Sequence, residues 1–268
     1  MKLNKILLTA AIAALVQLNA AAQISAPSPT PELKAQAVTT PVSNTEPLAV
    51  TRPNTAIIPV SRTGGIVNRQ TLVLERAKAA PGYYDIEFIG DSITQKWEDA
   101  GAAVWKELGL KYKLINMGVS GDRTQHVLWR FEQGQLDGIN AKVAVVMIGT
   151  NNTGKGNNTP AEILAGVTAV VKQIRVRQPN TKIILLAIFP RGNTFNERRA
   201  DLLQVNQALS RLDDGSNVFY LDFTAQLIED DGSIHESMMK DFLHPGEKGY
   251  RIWAAALEPM LNVFLARK

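Results

Sequence analysis

The sequence of 268 residues contains no cysteine. Disulfide bonds, thiolate metal sites and cysteine nucleophiles are therefore excluded. A chain of this length can bury a sufficient hydrophobic core without covalent cross-links. Any nucleophilic chemistry has to come from another type of side chain.

The sequence also lacks a concentration of positive charge. Its 29 Lys and Arg residues and 25 Asp and Glu residues give a formal net charge of +4, and the two signs are interspersed. With no basic run to follow a phosphate backbone, nucleic acid is not expected as a partner. A nucleotide-dependent hydrolase is disfavoured too, because neither G-x-x-x-x-G-K-[ST] nor, after the first predicted strand, G-x-G-x-x-G occurs.

The sequence has few long hydrophobic runs. The run that comes nearest in length to a membrane span lies at the N terminus. Lys2 and Lys5 precede the apolar run "ILLTAAIAALVQL", and an A-x-A site follows at residues 20–22. This pattern predicts a signal peptide over residues 1–22. The run falls short of the roughly 20 residues that a membrane span needs, which disfavours the alternative of a retained anchor. We expect a secreted or periplasmic protein with no integral membrane segment in the mature chain.

The next part of the chain has the composition of a linker. Residues 23–60 hold seven of the thirteen prolines, mixed with Ser, Thr and Ala. Such a segment buries too little apolar surface to offset the entropy lost on ordering it. We therefore predict a Pro/Ser/Thr-rich flexible tether over residues 23–65 and a catalytic domain over residues 66–268.

Within the domain, short β-rich apolar runs alternate with helical patterns. "QTLVLERAKAA" is typical of a helix, and the strand candidates are "YDIEFI", "YKLINM", "KVAVVMI", "KIILLAIF" and "NVFYLD". Several strands are apolar at consecutive positions, as expected when both faces of a parallel sheet are covered. The pattern predicts an α/β fold, a three-layer α/β/α domain whose functional groups collect at the carboxyl ends of the strands.

The clearest helix begins at "TPAEILAGVTAVVKQIRVR". Thr159 is placed to be the N-cap, Pro160 suits the first helical position, and Glu162 completes a capping box. The apolar residues behind it then form one stripe along the helix, which indicates the face that packs on the sheet.

Polar residues follow three of the predicted strands, and a fourth polar segment lies near the end of the chain. Gly90-Asp91-Ser92 ends the first predicted strand, and "NMGVSGDRT" and "GTNN" follow the second and third. "DFLHP", residues 241–245, comes near the end of the chain. Because parallel strands end at one edge of a sheet, we expect these four segments to meet there.

Together these segments could support acyl transfer. A serine such as Ser92 is a poor nucleophile until a base accepts its proton, and His244 is a candidate for that base. Asp241, three residues earlier, could orient the imidazole through its other ring nitrogen. Pro245 suits the first position of a helix, which would hold the histidine just before it.

The same chemistry needs hydrogen-bond donors aimed at the developing oxyanion. The backbone N–H groups of Ser92 and Gly121 are candidates, and the side-chain amide of Asn151 offers a third. A glycine at position 121 would let the backbone approach a ligand closely.

Each segment taken alone has an ordinary structural explanation. Asp91 and Ser92 suit a turn or a helix cap, and "GTNN" suits a loop. The D-x-x-H pattern is common in surface turns. Of the other two histidines, His126 reads as a partly buried helix residue and His235 has no obvious orienting carboxylate. The order and placement of all four segments favour a hydrolytic site.

The chain resembles the SGNH hydrolases, also called the GDSL esterase family, over residues 69–262. Within that family it is similar to the catalytic subunits of platelet-activating-factor acetylhydrolase and their secreted bacterial relatives. The resemblance rests on "IGDSITQKW", "NMGVSGDRTQHVLWRFEQGQL", "VVMIGTNN", "RQPNTKIILLAIFPRGN" and "DGSIHESMMKDFLHPGEKGY". It implies a flavodoxin-like sheet of five parallel strands, with Ser92 as nucleophile, Gly121 and Asn151 as oxyanion donors, and Asp241 with His244 as the acid–base pair.

The resemblance also implies the lining of the acyl pocket, at Ile93, Thr150 and Leu243. Bulky residues at the first and last of these positions leave room for little more than an acetyl group. The signal peptide and tether have no counterpart in the cytosolic animal subunits, so their phospholipid substrate and dimer are not carried over. The oligomeric state stays open.

We therefore expect a secreted serine esterase that removes short acyl groups, needs no metal or organic cofactor, and acts on an acetylated carbohydrate or similar small ester. The first alternative is a lysophospholipase or thioesterase for longer acyl chains. The second is a non-catalytic carbohydrate-binding domain that has kept the fold, because fold alone does not imply function.

Overall fold

The computed structural model describes residues 52–64, 67–79 and 82–266. The predicted signal peptide and most of the predicted tether lie outside the described residues. The C-terminal part of the chain forms alternating strands and helices, in the order expected from the sequence.

Five parallel strands form one sheet in the order β2-β1-β3-β4-β5. Their bounds are β1 Gly82–Gly90, β2 Leu114–Asn116, β3 Ile139–Met147, β4 Lys182–Leu186 and β5 Val218–Leu221. The three-layer, flavodoxin-like α/β fold is thereby confirmed. β1 and β3 lie at the centre of the sheet, so the loops that follow them reach the middle of its carboxyl edge.

Seven α-helices cover the two faces of the sheet in the described residues. Their bounds are α1 Val67–Ala79, α2 Ser92–Gln95, α3 Ala102–Gly109, α4 Thr124–Glu132, α5 Pro160–Arg177, α6 Glu197–Leu209 and α7 Glu247–Phe264. Helices α1, α4, α5 and α6 share one apolar cluster with the sheet, and α2, α3 and α7 share a second. The alternation of strand side chains between two covered faces explains the continuous apolar runs in the sequence.

Helix α5 begins as its sequence predicts. The Thr159 side chain accepts from the Glu162 N–H, and the Glu162 carboxylate accepts from the Thr159 N–H in return. Pro160 occupies the first helical position. The capping box fixes the start of α5 after the loop that carries "GTNN".

Residues 52–64, which composition assigned to the tether, pack on the domain. Ala56 is fully buried, and its carbonyl accepts a hydrogen bond from the Thr124 hydroxyl at 2.7 Å. The Val60 N–H donates to the Gln125 carbonyl at 3.2 Å. The Arg62 guanidinium donates to the Gly121 carbonyl at 3.1 Å. Residues on the N-terminal side of the predicted boundary at residue 65 therefore contact α4 and the loop before it. Composition did not predict these contacts, because it averages over a segment and does not depend on individual side-chain contacts.

No helix in the described part of the chain is both long enough and apolar enough to cross a membrane.

Candidate active site

Ser92 is the first residue of α2, directly behind the central strand β1. Asp91 is the N-cap, and its carboxylate accepts from the Ile93 N–H at 3.0 Å. A side chain at Gly90 would collide with Thr94 and with the Met147 carbonyl. The glycine thus lets β1 turn tightly into α2, and the turn leaves Ser92 at the carboxyl edge of the sheet.

Asp241 and His244 share a tight turn on the segment before α7. One carboxylate oxygen of Asp241 accepts from the N–H groups of Leu243 and His244, at 3.2 and 2.8 Å. Phe242 between them has a φ of 56°, a left-handed conformation that few non-glycine residues adopt. Its carbonyl accepts from the Gly192 N–H at 2.8 Å, which ties the turn to the loop after β4.

The second carboxylate oxygen of Asp241 lies 2.6 Å from the His244 Nδ1. Burial opposes ionisation of Asp241, but hydrogen bonds from the His244 side chain and backbone outweigh it and lower the pKa of the carboxyl. The carboxylate can therefore hold a proton on Nδ1 and leave Nε2 free to accept one.

The His244 Nε2 lies 2.8 Å from the Ser92 Oγ. The structure thus joins Asp241, His244 and Ser92 in one chain of hydrogen bonds. Two of the residues come from the segment before α7 and the third from the start of α2, and His244 and Ser92 are 152 positions apart in the sequence. Such an arrangement can transfer the serine proton to the imidazole while the oxygen attacks a carbonyl.

The loop after β2 carries Gly121, whose φ of 71° favours glycine. Two side chains hold this loop against α2. Asn116 accepts from the Gly118 N–H at 2.9 Å and donates to the Thr94 carbonyl at 3.0 Å. Gln95 accepts from the Ser120 N–H at 2.8 Å. These bonds fix the backbone beside Ser92 before any ligand binds.

Asn151 lies in a 3₁₀ turn after β3, Thr150–Asn152. Its amide nitrogen donates to the Asp122 carbonyl at 2.9 Å, which places Asn151 against the Gly121 loop. A side-chain amide carries two N–H groups, so the second can serve a ligand. The geometry is compatible with the oxyanion-donor role expected for Asn151.

A buried ion pair supports the Gly121 loop from below. The Arg130 guanidinium bonds to the Asp122 carboxylate, and both side chains are fully buried. Both residues belong to the stretch "GDRTQHVLWR", which contributes to the family resemblance, but the sequence alone suggests no role for either of them. Asp122 precedes α4 and Arg130 lies near the end of that helix, eight residues later, so only the fold shows that they meet.

Arg191, in the "FPRG" loop after β4, was also missed as a site residue. Its guanidinium donates to the Thr150 carbonyl at 3.1 Å and approaches the Thr150 hydroxyl at 3.3 Å. Burial lowers the pKa of Arg191, and the charges of Asp91 and Asp241 partly oppose that shift. The motif "PRG" was the only sequence signal for this position.

The three expected acyl-pocket residues occupy the same region. Ile93 is fully buried in the apolar cluster of α7, and Leu243 packs against that cluster. Thr150 is buried and held by Arg191. Their role as the pocket lining stays a prediction.

The other histidines lie in different surroundings. The His126 Nδ1 accepts from the Arg123 N–H at 3.0 Å within the capping box of α4. Burial and the nearby cations Arg62, Arg123 and Arg130 lower the pKa of His126 to about 4. His235 is exposed and bonds to Ser237. His126 is thus a neutral, buried helix residue, as its sequence context indicated.

The expectation for Pro245 is wrong. Helix α7 begins at Glu247, with Gly246 as its N-cap, so Pro245 precedes the helix. The reason is that Gly246 is extended, with a φ of −80° and a ψ of −176°, so the helical conformation starts only after it.

A cavity of about 360 Å³ opens beside Ser92. Every residue that lines it is polar: Arg69, Ser92, Gln95, Lys96, Glu98, Asp99 and Ser120. Among the described residues, no group of three or more His, Asp or Glu side chains is arranged to hold a metal ion.

Comparison with known proteins agrees with this arrangement. The model of the GDSL-like lipase/acylhydrolase family matches residues 88–252. The chain belongs to this family. As a GDSL hydrolase it is a carboxylic ester hydrolase, and the resemblance noted from the sequence is confirmed.

Curated relatives of this GDSL hydrolase include two acetylhydrolase subunits. Platelet-activating factor acetylhydrolase IB subunit alpha2 of Rattus norvegicus is 41% identical over 167 residues, which are 62% of this chain and 71% of the relative. Subunit alpha1 of Homo sapiens is 35% identical over 184 residues, 68% of this chain and 78% of the relative.

Solved structures share the fold. A GDSL-like lipase from Bacteroides thetaiotaomicron matches with a TM-score of 0.60 and 18% identity, covering 74% of this chain and 98% of that one. An acetylxylan esterase from Geobacillus stearothermophilus matches with a TM-score of 0.51 and 20% identity, covering 66% and 93%.

Proposed function

We propose that this GDSL hydrolase is a serine esterase that works through an acyl-enzyme. The observation that carries the proposal is the chain of hydrogen bonds from Asp241 through His244 to Ser92, with distances of 2.6 and 2.8 Å. A serine bonded to an imidazole that a carboxylate orients is the arrangement that activates a hydroxyl for attack.

In the proposed mechanism the Ser92 Oγ attacks the ester carbonyl carbon while the His244 Nε2 accepts the hydroxyl proton. The carbonyl oxygen becomes an oxyanion, which the N–H groups of Ser92 and Gly121 and the Asn151 amide stabilise. The intermediate collapses, and His244 returns the proton to the departing alcohol. Water, deprotonated by His244, then attacks the acyl-enzyme and releases the carboxylic acid and free Ser92.

We propose short acyl groups, above all acetyl, as the preferred substrates. Ile93 and Thr150 are buried and Leu243 packs on the apolar cluster of α7, so the expected acyl pocket has little room to widen. Two of the relatives are also named as acetylhydrolase subunits, which supports acetyl as the acyl group.

The alcohol is proposed to be a carbohydrate or another small polar group outside the cytoplasm. The proposal of export rests on the sequence of residues 1–22 alone. The acetylxylan esterase among the structural neighbours removes acetyl groups from a polysaccharide, according to its name, and provides a precedent for this fold.

The test is hydrolysis of p-nitrophenyl acetate, butyrate and octanoate by the purified protein, with Ser92→Ala and Ser210→Ala alongside. Ser210 is exposed, after α6, and serves as the matched control. We expect kcat/KM to fall steeply with chain length and to vanish only in Ser92→Ala. Higher activity on octanoate would favour the lysophospholipase or thioesterase alternative. No turnover by the folded protein would favour the non-catalytic domain.

A further inference from the structure

We propose that the cavity beside Ser92 binds the alcohol part of the ester, and that this alcohol is uncharged and rich in hydroxyl groups, as a sugar is. The inference rests on the proposed function and goes further, because it assigns the residues that select the leaving group. Its basis is the position of the cavity, its lining and the pairing of its charges.

The cavity lies beside the nucleophile, along α2 and the 3₁₀ turn that follows it at Lys96–Glu98. Gln95, Lys96 and Asp99 come three, four and seven residues after Ser92, and all four residues line it. Ser120, next to the oxyanion candidate Gly121, forms another wall. None of the expected acyl-pocket residues is among the lining, so this cavity is distinct from the expected acyl pocket.

The charged groups of the lining are paired within it. The Arg69 guanidinium lies 2.9 Å from the Glu98 carboxylate, and the Lys96 ammonium lies 3.2 Å from the Asp99 carboxylate. Two cations and two anions leave no excess charge for a phosphate or an ammonium headgroup. The polar lining also offers no apolar wall to a long alkyl chain.

Hydroxyl groups suit such a lining, because each can both donate and accept a hydrogen bond. Asp99 and Glu98 offer acceptors, Lys96 offers donors, and the Ser120 hydroxyl offers both. The cavity volume, about 360 Å³, lies near the lower end of the range of roughly 300–1,000 Å³ for small-molecule sites. A single sugar residue is therefore the expected occupant.

The two ion pairs have different roles. Arg69 also donates to the Gly118 carbonyl at 3.1 Å, and Glu98 also binds Arg76, so this pair holds the loop and helix together. The Lys96 and Asp99 side chains are more exposed, and among the described contacts each of them bonds only to the other. Lys96 and Asp99 can thus exchange their mutual contact for a ligand without loss of structure.

The experiment compares acetate release from glucose 6-acetate, octyl acetate and p-nitrophenyl acetate by the full chain. The variant is Lys96→Met/Asp99→Leu, which keeps the net charge and makes this wall apolar. The control is Lys111→Met/Glu258→Leu, which removes the exposed ion pair between the loop after α3 and helix α7. Residual turnover of p-nitrophenyl acetate, measured on the same preparations, reports folding.

We expect kcat/KM for glucose 6-acetate to exceed that for octyl acetate at least about ten-fold in the unaltered protein. The relevant ratio is kcat/KM for glucose 6-acetate divided by kcat/KM for p-nitrophenyl acetate. The variant should lower this ratio by about ten-fold, because one charged hydrogen bond to the substrate is lost. The loss should appear mainly as a higher KM for glucose 6-acetate. The control should leave the ratio unchanged.

Turnover that depends on Ser92 but shows no preference for the sugar ester, or a ratio that the variant does not lower, would overturn the cavity assignment and leave the esterase intact. Absence of any Ser92-dependent turnover would overturn the proposed function, and the assignment with it.

Discussion

At the scale of single residues, the neighbours Asp91 and Ser92 have different tasks. Asp91 caps α2 through the Ile93 N–H, which is the ordinary role of an aspartate before a helix. Ser92 instead directs its hydroxyl to His244. The sequence around Gly90 is compatible with either role for both residues. The contact with the distant Asp241–His244 turn is what distinguishes Ser92 from Asp91.

A histidine exchange tests the proposed base. We expect His244→Gln to lower kcat for p-nitrophenyl acetate on the order of 10³-fold or more, because the Ser92 proton then has no acceptor. Asp241→Asn should lower kcat roughly 10²- to 10⁴-fold, because it disturbs the tautomer of His244. His235→Gln is the matched control, since His235 is exposed and bonds to Ser237. Equal losses in His235→Gln and His244→Gln would contradict the assignment.

Arg191 is expected to act as a positioning residue. Arg191→Met removes the donor to the Thr150 carbonyl and should let the Asn151 turn move, which lowers kcat about ten-fold or more with little change in KM. Arg191→Lys should restore part of the loss, and the exposed Arg211→Met should have no effect. If the loss appears mainly in KM, Arg191 contacts the substrate instead.

At the scale of elements, local sequence signals predicted the strands, the capping box of α5 and the four segments at the carboxyl edge. These features depend on short-range hydrophobic patterns and caps, which a sequence shows directly. The Asp122–Arg130 pair, the contact of Arg191 with Thr150 and the packing of residues 52–64 were not predicted. Each depends on side chains that only the tertiary fold brings together.

The segment over residues 52–64 supplies a prediction at this scale. Arg62 donates to the Gly121 carbonyl, so Arg62→Met should loosen the peptide beside the proposed oxyanion donor and lower kcat for p-nitrophenyl acetate by about three- to ten-fold. Arg52→Met is the matched control, because Arg52 lies on the same segment but pairs with Glu162 at the start of α5. A loss of equal size in both variants would mean that the segment contributes only general stability.

At the scale of the whole molecule, Glu87 and Asp91 are fully buried acids, as Asp122 is. Burial raises the pKa of Glu87, in the middle of β1, to about 8 and that of Asp91 to about 7. Because the folded state binds the Glu87 proton more tightly than the unfolded chain does, the stability associated with Glu87 is present below about pH 4.5 and is lost as the pH rises toward 8.

Glu87→Gln should therefore flatten the dependence of stability on pH. The free energy of unfolding of the variant minus that of the unaltered protein should be about 1–3 kcal/mol more favourable to the variant at pH 9 than at pH 5, as measured by urea denaturation. Part of the slope should remain, because Asp91 still titrates. Glu75→Gln, on the exposed side of α1, is the control. Parallel curves for Glu87→Gln and the unaltered protein would refute the prediction.

The central claim is that Ser92 is the nucleophile. Incubation with diethyl p-nitrophenyl phosphate, which phosphorylates activated serines, followed by peptide mass spectrometry tests it most directly. The account predicts one adduct, on Ser92, formed in parallel with the loss of esterase activity and absent from His244→Gln. Full activity without an adduct on Ser92, or inactivation by an adduct at another residue, would contradict it.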